Sequence, residues 1–79
     1  MITLANALLK IESEVCRAKA KHPGDFHNFH EAYAVILEEM DELKLEVWKG
    51  GSVPRDAKAL ETELIQTAAM CVRALTELL

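Results

Sequence analysis

Apolar residues recur every three or four positions along three stretches of this chain, and two short breaks separate the stretches. That period matches the turn of an α-helix and does not suit a strand, whose side chains alternate between faces. The first stretch runs from about Thr3 to Lys21, with Leu4, Leu8, Ile11, Val15 and Ala18 on one stripe. His22-Pro23-Gly24-Asp25 ends it. The second runs from about Phe29 to Lys49. Asn28 is placed to cap it, and Glu31 stands three residues later as a capping-box partner. Its stripe is Phe29, Tyr33, Ile36, Met40, Leu43 and Val47, while Leu37, Leu45 and Trp48 lie off that stripe. Apolar residues on more than one side predict that this is the central helix. Gly50-Gly51 is expected to terminate it. The third stretch runs from Val53 or Pro54 to Leu79, with Ser52 as its N-cap and Pro54 in its first turn. Leu60, Leu64, Ala68, Cys71, Leu75 and Leu78 make its stripe, and Ala68 and Ala69 permit close helix approach. The expected fold is all-α: one domain over residues 1–79, built from three helices whose short linkers make neighbours antiparallel.

Size and composition predict association. A chain of 79 residues buries only about 60–65% of its unfolded surface as a monomer, yet 51% of this one is hydrophobic. More apolar surface is present than one small bundle can hide, so a homodimer or a dimer of dimers is expected. The net charge is −4 and there is no basic stripe, which argues against a nucleic-acid-binding surface. No apolar run approaches the ~18–20 residues of a membrane span. The N-terminus has no basic export-type region, so a cytoplasmic location is expected. Cys16 and Cys71 show no CxxC spacing and are expected as two buried, reduced thiols. His27 and His30 are three apart, but no second His or Cys pair stands elsewhere to complete a metal site, so they are read as loop and helix-start residues.

The chemistry is concentrated in two acidic clusters, Glu38-Glu39-Met40-Asp41-Glu42 and Glu61-Thr62-Glu63-Leu64-Ile65-Gln66. Residues three apart share a helix face, so Glu39 and Glu42 point the same way, as do Glu63 and Gln66. In an antiparallel hairpin the end of the second helix faces the start of the third. Three carboxylates and an amide can then converge, and like charges that close call for a cation. An all-oxygen donor set suits Mg²⁺ or Mn²⁺ rather than Zn²⁺. Taken alone, the same residues also read as a solvated acidic face paired with Lys44 and Lys49.

Glu38-Glu39-x-x-Glu42 followed after a loop by Glu63-x-x-Gln66 resembles the EExxE…ExxD signature of the all-α nucleoside triphosphate pyrophosphohydrolases, the MazG-like proteins related to the dimeric dUTPases. The resemblance covers about Phe29 to Leu79. Its flanking wording, His30 to Glu39 and Gln66 to Met70, is that of small phage- or mobile-element-type members. It implies a helical bundle completed by dimerisation and Mg²⁺-dependent hydrolysis of a nucleoside triphosphate to monophosphate and pyrophosphate. Glu39, Glu42 and Glu63 match the metal-binding acids, with Gln66 at the fourth position, where the family has Asp. Glu38 or Glu42 would orient or deprotonate the attacking water. Lys44 and Arg73, among the cations Lys44, Lys49, Arg55, Lys58 and Arg73, would contact phosphate. Trp48, Tyr33 or Phe29 would wall the base. Gln66 offers a carbonyl oxygen but no charge. That departure leaves a non-catalytic nucleotide-binding or regulatory descendant as the second reading, and the apolar excess leaves a helical oligomerisation module as the third.

Overall fold

A computed structural model describes residues 1–49 and 56–79 of the chain. Three helices account for most of them: α1 (Leu4–Lys21), α2 (Phe29–Trp48) and α3 (Ala57–Leu78). There is no strand among the described residues. None of the described helices is long and apolar enough to cross a membrane.

Each start is set by a side chain that satisfies orphan backbone N–H groups. The Thr3 hydroxyl accepts from Asn6 N–H at 3.1 Å, and the Asn28 amide oxygen accepts from Glu31 N–H at 2.9 Å. The capping box differs from expectation by one residue. Glu31 reaches past Asn28 to accept from the His27 N–H at 3.0 Å and meets His27 Nδ1 at 2.9 Å. α3 starts later than the sequence pattern suggested. Asp56 caps it, accepting from Lys58 N–H at 3.0 Å and Ala59 N–H at 3.2 Å, because one carboxylate can satisfy two donors there. The expected Gly50-Gly51 stop, the Ser52 cap, the Val53 or Pro54 start and Arg55 lie outside the described residues.

The order is up-down-up, and α3 is the middle helix. It packs against both α1 and α2, while α1 and α2 make no close backbone approach to each other. This corrects the expectation of a central α2. Small residues decide it: Ala69 is 0% exposed and Ala32 2%, so α3 lets its neighbours come close. Around these sit Ala18, Phe26 and Met70, with Ile11, Val15, Val35, Ile36, Ala74 and Leu78 packed against them.

The long apolar stripes expected to form the core are only partly covered. Phe29, Tyr33 and Met40 of α2, and Leu64 and Leu75 of α3, are exposed. Leu4 and Leu8 of α1 are exposed as well. Three helices cannot enclose stripes this wide, because each has neighbours on one or two sides only. Cys16 and Cys71 are free, and both are exposed rather than buried.

One polar cluster ties the helices together at the C-terminal end of α3. Glu77 accepts from the Phe26 N–H at 2.7 Å, from Arg73 Nε at 2.8 Å and Nη2 at 3.3 Å, and it also pairs with Lys19 of α1 at 3.3 Å. Arg73 also donates to the Gly24 carbonyl at 3.2 Å and lies 4.5 Å from the centre of the Phe26 ring. Gly24 has φ +104, a conformation that other residues rarely adopt. Burial alone would push the Glu77 carboxyl up, but Arg73, the Phe26 N–H and Lys19 outweigh it and hold it at about 2. A depressed carboxyl contributes stability above its unfolded value, near 4.5, and loses it as pH falls towards 2. Allowing for nearby solvent, that contribution is about 1–2 kcal/mol. Glu77→Gln is expected to cost about 3 kcal/mol, since it strands a buried guanidinium. Urea unfolding should show this loss at neutral pH, and the variant should lack the parent's steep decline below about pH 4.5.

Candidate functional site

The lack of contact between α1 and α2 leaves a cleft of about 1090 Å³ between them. α1 forms one wall with Glu14, Arg17, Ala18 and Lys21. α2 forms the other with Val35, Glu38, Glu39 and Glu42, and α3 supplies the floor with Gln66, Met70 and Arg73. The loop around Pro23 to Phe26, held by Glu77, closes one end.

Glu39 and Glu42 line this cleft, and Glu63 of α3 joins them in one carboxylate cluster. One carboxylate oxygen from each lies within 4.8 Å of the others. The helical pattern explains the convergence. Glu39 and Glu42 are one turn apart on the α2 face that meets α3, and Glu63 is presented by α3 running the opposite way. Glu39 and Glu63 are half-buried, and Glu42 is exposed. Glu39 Oε2 and Glu63 Oε2 are both buried without a hydrogen-bond partner.

The electrostatics follow from that crowding. Burial raises the Glu39 carboxyl above its usual value, and the charges of Glu42 and Glu63 add to the rise. Burial likewise raises Glu63, followed by Glu42, both as a charge and as a partner sharing a proton, and then by Glu46. An all-carboxylate trio of this spread can hold a hard divalent cation: ligand oxygens on opposite sides of an ion at ~2.1 Å lie about 4.2 Å apart. The two orphaned oxygens are the donors that such an ion would satisfy.

The other expected residues divide into groups. Glu38 and Gln66 line the same cleft as Glu39 and Glu42. Arg73 also reaches it, but the residue is buried, and its guanidinium is committed to Glu77, the Gly24 carbonyl and the Phe26 ring. Lys44 and Trp48 line a separate depression of about 670 Å³, with Leu45, Glu46 and Lys49. The exposed rings of Phe29 and Tyr33 are not among the cleft residues. The α1 wall was missed from sequence. Glu14, Arg17 and Lys21 share one helix face by their spacing, but no motif marks α1, and only packing shows which face meets the acidic cluster.

No known protein family, curated protein or solved structure matches this chain.

The raised carboxyls have a measurable consequence. A group whose folded value lies above its unfolded value lets the folded state take up a proton first, so stability rises as pH falls through that value towards about 4.5. In EDTA the melting temperature is therefore expected to rise on mild acidification from neutral pH. Glu63→Gln should raise it at neutral pH and flatten this rise. Calorimetric scans across that range check both outcomes, and a variant melting below the parent at neutral pH would contradict the strained trio.

Proposed function

We propose that this chain is a Mg²⁺-dependent nucleoside triphosphate pyrophosphohydrolase of the MazG-like kind, converting a triphosphate to monophosphate and pyrophosphate. One observation carries the reading. The acids picked out by the resemblance, Glu39, Glu42 and Glu63, converge from two helices, two of them line the cleft, and two of their buried oxygens lack partners. A random acidic face would keep those oxygens in water.

Glu39, Glu42 and Glu63 would hold Mg²⁺, or Mn²⁺, with Gln66 able to add a carbonyl oxygen. The bound ion supplies positive charge to the phosphate oxygens. Glu38, exposed on the same wall, and Glu42 orient the attacking water and accept its proton. Glu39 and Glu63 act as fixed ligands, since their half-buried positions restrict them. The closed end of the cleft, with Met70 and Val35, gives an apolar surface for the nucleoside.

The exposed apolar residues of α2 and α3 support assembly as a homodimer, or a dimer of dimers. Tyr33 and Leu37 lie one turn apart on the outer side of α2, and Leu64 and Leu75 are likewise uncovered on α3. Burying such stripes against a second copy would complete a bundle that three helices leave open. With no spanning helix among the described residues and no basic stripe, a small cytoplasmic substrate fits the chain better than a membrane or a nucleic acid.

Gln66 favours the second reading, a nucleotide-binding descendant that does not turn over. It stands in the cleft where the family has an acid and brings no charge. Pyrophosphate release from a panel of canonical and modified nucleotides, with Mg²⁺, Mn²⁺ or EDTA, separates the two. Metal-dependent release is expected, and Glu39→Gln or Glu63→Gln should reduce it by more than about 100-fold, beyond what losing a supporting partner costs. Metal-dependent nucleotide binding without release would establish the second reading. Sedimentation tests the assembly. Tyr33→Asp with Leu37→Asp should convert an oligomer to monomer, whereas truly solvated positions would leave assembly intact and shift stability by only about 0.5 kcal/mol.

A further inference from the structure

We propose that Arg17 and Lys21, on the α1 wall, bind the phosphate chain of the substrate and hold it against the carboxylate wall; this rests on the polyphosphate reading of the same cleft. Neither residue belongs to the motif that carries the family resemblance.

The two walls differ in charge. α2 presents Glu38, Glu39 and Glu42, and α1 presents Arg17 and Lys21, with Glu14 beside Arg17, across a gap that the helices do not close. A cation-loaded polyphosphate matches both sides of such a gap. Its metal-bound oxygens meet the acidic wall, and its remaining oxygens meet the basic one.

The state of the α1 cations distinguishes them from ordinary surface charges. Lys10 is paired with Glu61, and Lys19 with Asp25 and Glu77. Lys21 forms no ion pair among the described residues, although it lines the cleft. Arg17 is held side-on by Glu14, Nε to Oε1 at 2.8 Å and Nη2 to Oε2 at 2.7 Å. That grip fixes the plane of the guanidinium and leaves its Nη1 edge for another acceptor. The Glu14 hydrogen bond and charge raise the guanidinium pKa further, and the Glu39 charge contributes as well, which places Arg17 within reach of the acidic wall's field. A planar guanidinium suits phosphate oxygens better than an ammonium does. Lys21 lies one turn further on, about 6 Å along the axis, so the two can engage different phosphates of one chain.

Calorimetry on the full chain tests this, with MgCl₂ titrated first and inorganic tripolyphosphate second. The parent is expected to bind both. Arg17→Gln combined with Lys21→Gln should keep Mg²⁺ affinity within about twofold and lose at least about tenfold in tripolyphosphate affinity, the loss expected for charge-assisted hydrogen bonds. Arg17→Lys should recover part of that loss, which a merely structural role would not produce. Equal tripolyphosphate affinity in the folded double variant and the parent would overturn the assignment. A parent that binds no Mg²⁺ would instead overturn the metal-site reading, and this inference with it.

Discussion

The arrangement of the three helices depends on a buried carboxylate near the end of the chain. Glu77 holds α1 through Lys19, the α1–α2 loop through the Phe26 N–H, and its own helix through Arg73. Charges are costly to bury unless every partner is in place, so this cluster fixes geometry more sharply than apolar packing can. The consequence reaches the opposite end of the cleft. With the loop pinned to α3, α1 and α2 diverge over α3 instead of packing on each other. Had Arg73 been available to a ligand, the loop would have lost its anchor. Its commitment to Glu77 moves the cationic side of the cleft to α1.

A second constraint works against stability. Glu39, Glu42 and Glu63 are placed close enough to repel, and burial makes the charged state of two of them worse. A fold built only for stability would spread those acids or pair them. Glu14 is paired with Arg17 and Glu46 with Lys49, but the trio has no cation of its own among the described residues. Local violations of this sort mark places where a sequence serves something other than packing. In the proposed function an ion would supply the charge that offsets the repulsion among the three carboxylates.

The thin core makes the same point from the apolar side. Among the described residues the buried apolar ones are Phe26, Met70 and the alanines Ala18, Ala32 and Ala69. Alanine contacts bring helices close but bury little area each. The wide stripes on α2 and α3 therefore remain outside the single chain's core.

How much was legible from sequence varied with the range of the interaction. Helix number, the α1 limits, the Asn28 cap and the pairing of Glu39 with Glu42 follow from local periodicity and capping chemistry, which act over a turn or two. The approach of Glu63 was also legible, because a short linker forces α2 and α3 to run antiparallel. The start of α3 was not, since the sequence pattern pointed to Val53 or Pro54, whereas the described helix begins at Ala57 with Asp56 as its cap. Nor was the choice of central helix. The apolar width of α2 suggested α2, but the close approach allowed by Ala69 and Ala32 put α3 in the middle. Sequence by itself determined an all-helical chain with an acidic trio on facing helices, because those properties depend on neighbours along the chain. The tertiary structure alone decided which face of α1 meets the trio, that Arg73 is sequestered, and that a cleft opens. Each of those depends on contacts between residues some fifty positions apart, such as Phe26 with Glu77 and Gly24 with Arg73, which no local pattern encodes.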